Sequence, residues 1–211
     1  YNLKDEKKIV VTYKGVDLQK FSFHLQTKFE NNKLLKIIFV GTDYKRKGLF
    51  NALPVLQILN NNKINFIFYI LGNFSPNSLK NINNLVEHFN LSKRVKILEA
   101  SKYKLEEMLK DMHILLFPSI EEAFGVTIVE AMASGVLVIA SNIGGIPEII
   151  IDKKNGFLFG LDNIKSIAEQ IIDIYKSPEK YLSIIQQAKE DAKRFSIDRI
   201  IENILQVILE G

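Results

Sequence analysis

The sequence predicts an α/β protein, built as a Rossmann-like parallel sheet with helices on both faces. Short runs of β-branched and aromatic residues alternate along the chain with longer amphipathic stretches, which is the pattern of repeated strand–helix units. The chain has 211 residues, of which 47% are hydrophobic and 25% charged. This length and composition suit one domain with a full hydrophobic core and disfavour global disorder.

Short apolar runs are predicted to be the strands of this sheet, and helical patterns lie between them. The first helix is predicted over residues 48–60, where leucines recur on one stripe. Its Pro54 is tolerated if the helix starts near Phe50, because the first backbone N–H groups of a helix have no intrahelical partner. The predicted strands are 36–41, 66–71, 94–98, 114–117, 136–140 and 156–159. The other predicted helices are 78–89, 105–110, 125–134 and an extra C-terminal set over 163–209, broken near 177–178 and 195–196.

The first thirty residues differ in character from the rest of the chain. An isolated apolar run at residues 9–11 and a turn-like stretch at residues 13–17 are followed by polar sequence. We therefore predict that residues 1–30 form an interdomain linker and that residues 31–211 form the Rossmann-like domain. The chain begins at Tyr1 rather than methionine, so we expect a processed or truncated chain.

Cysteine content and charge narrow the classes of function. The chain has no cysteine, which excludes a disulfide scaffold and thiolate chemistry and suits a reducing compartment. Its formal charge of +4 and pI near 9.0 favour an anionic partner, whether nucleotide phosphates, a membrane surface or nucleic acid. The longest notable uncharged stretch, residues 131–147, contains three glycines and a proline and falls short of a bilayer span.

The richest candidate for chemistry is the segment at residues 118–135, which follows a predicted strand and opens a predicted helix. In a doubly wound sheet such a turn lies at the carboxyl edge of the strands, where a helix start directs its N–H groups at an anion. Glu130 falls on the edge of the helix stripe that faces the sheet, so its carboxylate needs partners. The alternatives are that Glu130 satisfies a helix end or reaches water, and that Glu122 is a solvated or helix-capping acid.

A second candidate is the loop from Gly41 to Gly48, between the first predicted strand and helix. Lys45, Arg46 and Lys47 stand in a row before that helix. Cations at a helix N-terminus oppose its macrodipole by roughly 0.3–1 kcal/mol each, so a bound anion would compensate them. The alternative is a basic surface loop. The glycine spacing matches neither a Walker loop nor the dinucleotide GxGxxG motif.

A third candidate is the turn at residues 141–148, which contains Gly144 and Gly145. The alternative is a plain connection in which Pro147 starts a helical turn.

Other kinds of site find less support in the sequence. The histidines His24, His88 and His113 are scattered, with no other ligand at metal-binding spacing, so no metal site is predicted. No serine lies in a nucleophile elbow, which argues against an ordinary hydrolase. Aromatic residues in the 66–71 run alternate as buried strand residues would, so base stacking on nucleic acid is disfavoured.

Together these motifs resemble the donor-binding half of the family 4 retaining glycosyltransferases (glycosyl transferases group 1), enzymes with the two-domain GT-B fold. Glu122 and Glu130 stand at that family's E-x7-E spacing, inside the pattern P-S-x-x-E-x-F-G-x-x-x-x-E-A-M-A-x-G, and a Gly-Gly-x-Pro-Glu stretch follows. Lys47 and Gly48 match its G-x5-K-G loop. Residues 13–21 are similar to its N-G-V-D-x-x-x-F linker.

The chain departs from the family pattern at a few positions. Thr42 stands where many members have arginine, so that Arg46 would supply the second cation, and Lys14 replaces the usual asparagine of the linker. Met112-His113 replaces the usual Ala-Asp before the 114–117 strand, and the glycine commonly found after the 94–98 strand is missing. The last two departures bear on base recognition more than on phosphate recognition.

The resemblance implies a role for each candidate residue. Lys47 and Arg46 would hold the donor diphosphate, and Glu122 would contact hydroxyls of the sugar near the reacting carbon. Glu130 would accept hydrogen bonds from the ribose hydroxyls. The other implied substrate-binding residues are Phe124, Gly125, Val126, Thr127, Gly41, Gly144 and Gly145.

The resemblance also implies substrates and partners. The donor would be a nucleoside diphosphate sugar, with UDP as the expected nucleotide, and no cofactor or metal would be needed because fixed cations and a helix N-terminus stabilise the leaving diphosphate. A cell-envelope glycan or lipid-linked acceptor would bind to an N-terminal domain ahead of this chain, so this hexosyltransferase half would be inactive alone. The enzyme would act in the cytoplasm, at the inner face of the membrane. Nucleic acid is not expected among its partners. The alternatives are an epimerase-like GT-B domain and a non-catalytic nucleotide-binding module.

Overall fold

The strands form one parallel sheet of six, in the order β3-β2-β1-β4-β5-β6, in the computed structural model, which describes residues 11–21 and 34–210. This arrangement confirms the predicted α/β class and Rossmann-like sheet. The strands are β1 Leu35–Val40, β2 Phe66–Gly72, β3 Val95–Glu99, β4 Ile114–Phe117, β5 Leu137–Ser141 and β6 Phe157–Phe159.

Helices connect the strands and continue beyond the last one, as the extra C-terminal patterns predict. The α-helices of the described residues are α1 Leu49–Asn61, α2 Pro76–His88, α3 Leu105–Leu109, α4 Val126–Ala133, α5 Ile146–Ile149, α6 Ile164–Lys176, α7 Leu182–Ala192 and α8 Ile197–Glu210. Short 3-10 turns occupy Leu18–Phe21, Pro178–Tyr181 and Lys193–Phe195. None of the helices in this described part combines the length and apolar character that crossing a bilayer requires.

A hydrophobic core lies on each face of the sheet. Buried side chains of α1, α2 and α6 pack on one face, and those of α4 and α7 pack on the other. The inner strands β4 and β5 are buried along their whole length because both faces of a parallel sheet are covered by helices. The edge strand β3 is only partly covered.

The first helix differs from the prediction at Pro54. Helix α1 begins at Leu49, so Pro54 lies inside the helix and not in its opening turn. Proline has no N–H to donate to the carbonyl of Phe50, four residues earlier. The helix forms nevertheless because Leu53 and Leu56 are fully buried against the sheet, and tertiary packing supplies most of the stability of a helix in a protein.

The described part of the predicted linker is attached to the domain. The Val16 N–H donates to the Phe195 carbonyl at 2.8 Å. The side chains of Val16 and Phe21 are buried, although the prediction was a linker and not a core element. Residues 1–10, with most of the predicted apolar run, and residues 22–33 lie outside the described residues, so the division into linker and domain stays a prediction.

The strand order places a topological switch point between β1 and β4. From these two neighbours the chain moves outward in opposite directions, to β2 and β3 on one side and to β5 and β6 on the other. Ligands of open α/β sheets bind at the carboxyl edge of the strands at such a point. The loops that follow β1 and β4 therefore lie side by side where a ligand is expected.

Candidate functional site

The candidate site is formed by the loops that meet at the switch point. The Ile120 N–H donates to the Arg46 carbonyl at 2.9 Å, and the Ser119 Oγ donates to the same carbonyl at 3.3 Å. The buried Ser141 donates its Oγ to the Ser119 carbonyl at 2.6 Å. These hydrogen bonds join the ends of β1, β4 and β5 into one continuous surface.

Glycines allow the backbones of these loops to touch. Gly48 has a φ of 69°, and a Cβ there would lie 1.9 Å from the Pro118 carbonyl oxygen. Gly144 has a φ of 50°, and its Cβ would lie 1.9 Å from the Glu122 carbonyl oxygen. Only glycine fits at both positions. The Gly145 N–H also donates to the Glu122 carbonyl at 3.2 Å, so the third predicted motif supports the backbone of Glu122.

Lys47 and Glu122 form an ion pair at the centre of this surface. Their side chains are only 19% and 11% exposed, and the Lys47 Nζ lies 4.9 Å from the centroid of the Phe117 ring. Gly41 leaves room for the lysine stem, since a Cβ there would lie 2.8 Å from the Lys47 Cγ. The fold thus brings together a cation and a carboxylate that are 75 positions apart in the sequence.

Helix α4 starts beside this ion pair and presents its N-terminus at the same edge of the sheet. Its N-cap residue Gly125 has a φ of 100°, and no side chain caps the helix. The positive end of the helix dipole and the N–H groups of Val126 and Thr127 are therefore available to an anion. Phe124 packs with its ring against Tyr13, with 5.6 Å between the centroids. Lys47, Glu122 and residues 125–127 are called the switch-point site below.

Glu130 lies half-buried on α4, about 7.5 Å along the helix axis from Gly125. Its carboxylate forms no ion pair within the described residues. Burial raises the pKa of this carboxyl above its ordinary value, the Glu106 carboxylate raises it further, and Lys14 opposes both effects. The sequence did not predict that Lys14 and Glu106 lie near Glu130, because no motif links these two residues to Glu130.

Arg46 is exposed and lines a cavity beside α1 and α2 that the Lys47–Glu122 pair does not line. Its Nη1 donates to the Glu121 carbonyl at 3.4 Å, and its Nε lies 3.5 Å from the Asp43 Oδ2. The partners of the guanidinium are thus Asp43 and the Glu121 carbonyl, and it does not share in the Lys47–Glu122 ion pair. The diphosphate role of Arg46 stays a prediction.

Two of the three histidines lie within the described residues, and neither belongs to the switch-point site. His113 is buried, and its Nδ1 accepts the Lys36 N–H at 3.0 Å, which links the starts of β1 and β4. His88 is exposed at the end of α2, and His24 lies outside the described residues. Across residues 11–21 and 34–210, no group of three or more potential ligands is arranged to hold a metal ion.

A doubly wound sheet with a charged site at its switch point defines a ligand-binding α/β domain of the Rossmann type. The family model described as "Glycosyl transferases group 1" matches residues 21–191. The chain belongs to this family, which confirms the resemblance found in its motifs.

The curated relatives are much longer than the part of them that matches this chain. An uncharacterized glycosyltransferase of Methanocaldococcus jannaschii, MJ1178, is 29% identical over 174 residues, which are 82% of this chain and 47% of that protein. The putative colanic acid biosynthesis glycosyltransferase WcaL of Salmonella typhimurium is 28% identical over 217 residues, which are 96% of this chain and 52% of that protein. The chain thus spans about half the length of the curated relatives it matches.

Solved structures share the fold. A glycosyltransferase from Rickettsia africae superposes with a TM-score of 0.86 at 25% identity, covering 99% of this chain and 59% of that chain. Anabaena Alr3699/HepE, solved in complex with UDP and glucose, superposes with a TM-score of 0.81 at 21% identity, covering 96% and 57%. These likenesses confirm the predicted C-terminal half of a GT-B glycosyltransferase fold.

The substitution Gly48→Ala tests the backbone contact between the two loops. We expect the free energy of unfolding to fall by more than about 1 kcal/mol, because the left-handed φ and the Pro118 carbonyl both exclude a Cβ. Urea denaturation followed by circular dichroism measures this change. Gly160→Ala is the matched control, since that exposed glycine faces only the flexible Asp162 carboxylate. An unchanged stability of Gly48→Ala would contradict the contact.

The substitution Glu130→Gln tests the buried carboxylate through the pH dependence of stability. Because the raised pKa belongs to the folded state, the unfolded chain ionises first as pH rises. The parent chain therefore loses stability between the ordinary carboxyl pKa and the raised one, and the glutamine variant does not. We expect Glu130→Gln to be more stable than the parent at neutral pH, with the difference vanishing at acidic pH.

Urea denaturation at several pH values between about 4 and 8 brackets the ordinary carboxyl pKa and measures this difference. Glu87→Gln, at an exposed position on α2, is the matched control and should show no comparable gain. Equal stability of parent and Glu130→Gln at neutral pH would contradict the account of this carboxylate.

Proposed function

We propose that this chain is the donor-binding half of a retaining glycosyltransferase that moves a hexosyl group from a nucleoside diphosphate sugar, with UDP as the nucleotide. The observation that carries the proposal is the half-buried Lys47–Glu122 ion pair beside the uncapped start of α4, at the switch point of the sheet. The family supports sugar transfer in general. The complex of Alr3699/HepE with UDP supports the choice of nucleotide.

Lys47 and the start of α4 are proposed to hold the donor diphosphate. Cleavage of the glycosyl–phosphate bond leaves negative charge on the diphosphate, and a fixed ammonium with a helix N-terminus stabilises that charge where it develops. The N–H groups of Val126 and Thr127 and the Thr127 hydroxyl would donate to phosphate and sugar oxygens. This arrangement would stabilise the leaving group without a metal ion.

Glu122 is proposed to contact the hydroxyls of the donor sugar. Before the donor binds, this carboxylate neutralises Lys47, so that neither charge is held half-buried without a partner. When the donor binds, the diphosphate becomes a second partner of Lys47 and leaves Glu122 able to accept from sugar hydroxyls. Glu130, deeper on α4, would accept from the ribose hydroxyls.

Arg46 is proposed to join Lys47 on the diphosphate after its side chain turns. Its present ion pair with Asp43 is exposed on both sides, at 44% and 57%. Exposed pairs of this kind contribute about 0–1 kcal/mol, so little opposes the rearrangement.

The acceptor is proposed to be a cell-envelope glycan or a lipid-linked glycan, bound by a further domain at the cytoplasmic face of the membrane. The length of the relatives supports a further domain, because this chain covers 47% of one and 52% of another. The name of WcaL, with its reference to colanic acid biosynthesis, supports an envelope acceptor. The formal charge of +4 supports an anionic surface or partner.

Titration calorimetry with UDP tests the donor site. The chain should bind UDP, and Lys47→Ala should weaken binding about tenfold to a hundredfold because a charge-assisted contact is lost. Lys154→Ala, at an exposed lysine in the loop before β6, is the matched control and should bind as the parent does. Addition of Mg2+ should change the affinity little.

Two results would overturn the donor assignment. One is a parent chain that does not bind UDP, as expected of an interaction module without a nucleotide site. The other is a Lys47→Ala variant that binds UDP as tightly as the parent.

Product formation tests whether the chain is complete as an enzyme. The isolated 211 residues, mixed with UDP-glucose and a panel of envelope glycans, should form no glycosylated product detectable by mass spectrometry. The reason is that the acceptor would not be held near the donor, and positioning two reactants supplies on the order of 7–11 kcal/mol of the barrier. UDP binding by the same preparation is the control for folding. Transfer by the isolated chain would contradict the need for a further domain.

A further inference from the structure

A cavity opens beside the loops that form the switch-point site. It has a volume of about 930 Å3 and lies between the start of α1, the exposed face of α2 and the loop that follows β4. This volume is within the range of cavities that hold small molecules. We call it the α1–α2 cavity.

The α1–α2 cavity is distinct from the switch-point site. Its lining contains Arg46 and Glu121, the direct sequence neighbours of Lys47 and Glu122, but it contains neither member of that ion pair and no residue of α4. The bond from the Ile120 N–H to the Arg46 carbonyl runs between the two loops. The same pair of loops therefore presents one set of side chains to each site.

One wall of the α1–α2 cavity is apolar and aromatic. Phe50 and Ile120 line this wall and remain 38% and 45% exposed. Tyr44 also lines the cavity but is largely buried. Its ring contacts Phe74, and its hydroxyl accepts from the Asn81 Nδ2 at 3.4 Å. The exposed ring of Phe50, with Ile120 in the same lining, offers an apolar surface to the C–H face of a sugar ring.

The opposite wall carries amide groups. Asn81 and Asn84 are three residues apart on α2 and so share one helix face. The Asn84 amide offers two donor hydrogens and an acceptor oxygen, and the Asn81 amide offers its acceptor oxygen and one donor hydrogen beside its bond to the Tyr44 hydroxyl. That combination matches the hydroxyls of a sugar, which both donate and accept, whereas a purely apolar ligand would leave the amides unused.

One cation of the lining favours an anion. Lys45 and Arg46 contribute two positive charges and Glu121 one negative charge, and the Asp43 carboxylate already pairs with Arg46, with 3.5 Å between Asp43 Oδ2 and Arg46 Nε. Lys45 forms no ion pair with any residue that the structure describes. Both cations also stand just before the start of α1, where the helix dipole disfavours positive charge. A bound anion would pair with Lys45, and it would offset the unfavourable interaction of the two cations with the helix dipole.

We infer that the α1–α2 cavity is a second carbohydrate-binding site, which takes an anionic hexose carrying a carboxylate or a phosphate group. The sugar ring lies on Phe50 and Ile120, its hydroxyls meet Asn81 and Asn84, and its acid group meets Lys45, the cation of the lining that the proposed donor site does not use. This binding does not depend on the nucleotide at the switch-point site.

Two-dimensional 1H–15N NMR of the 211-residue chain tests the inference. The probes are methyl glucuronide, glucose 6-phosphate and, as the neutral control, methyl glucoside. At least one anionic probe should shift the side-chain amide signals of Asn81 and Asn84, and the neutral probe should bind more weakly. A response to the glucuronide alone identifies a carboxylate sugar, and a response to the phosphate alone identifies a sugar phosphate.

Matched variants on exposed positions locate the binding. Asn84→Ala should weaken it about threefold to tenfold through loss of a hydrogen bond, whereas Asn83→Ala, which lines a different cavity of α2, should leave it unchanged. Lys45→Gln should abolish the preference for the anionic probes. Lys80→Gln, at an exposed lysine on α2 outside the cavity, should retain that preference.

Repeating the sugar titration with UDP present tests this inference separately from the proposed function. The sugar-induced shifts should persist when UDP is present and in Lys47→Ala. Sugar binding without any UDP binding would refute the donor site and leave this inference standing. Displacement of the sugar by UDP, shifts confined to the switch-point site, or no shift at Asn81 and Asn84 would overturn it.

Discussion

The ion pair between Lys47 and Glu122 is the interaction on which the rest of the site depends. It joins the loops after β1 and β4, the two strands from which the sheet grows in opposite directions. Both side chains are mostly removed from water, so removal of either would leave the other as a poorly solvated charge. The site is therefore held in a neutral, ordered state, and an anionic ligand can add to the lysine without a prior reorganisation of the loops.

Backbone contacts hold this ion pair in place more firmly than side-chain packing alone would. Gly48 lies against the Pro118 carbonyl, and Gly144 lies against the Glu122 carbonyl. These contacts leave the loops little freedom to separate, because neither glycine position has space for even one additional carbon. Ser141 adds a buried hydrogen bond to the same layer. Binding groups on such a rigid support keep their geometry when no ligand is bound.

The loops at the switch point contribute side chains both to the switch-point site and to the α1–α2 cavity, because neighbouring residues of each loop point in different directions. Lys47 and Glu122 meet at the carboxyl edge of the sheet, while Arg46 and Glu121 line the α1–α2 cavity. The segment at residues 11–21 adds a third element, since Lys14 acts on the charge of Glu130 and Tyr13 packs on Phe124. Residues 11–21 thus contribute to the electrostatics around α4.

The amino-acid sequence by itself determined the sheet, the positions of its strands and the residue types at the site. Strands and the E-x7-E motif are recorded in local patterns, because side-chain periodicity depends only on neighbouring residues. Only the tertiary structure decided that Lys47 meets Glu122, that Arg46 turns to another cavity and that Glu106 approaches Glu130. These contacts join residues from separate crossovers. Packing of helices on the sheet sets such contacts, and no local pattern specifies them. The same packing overrides local preference at Pro54, inside α1.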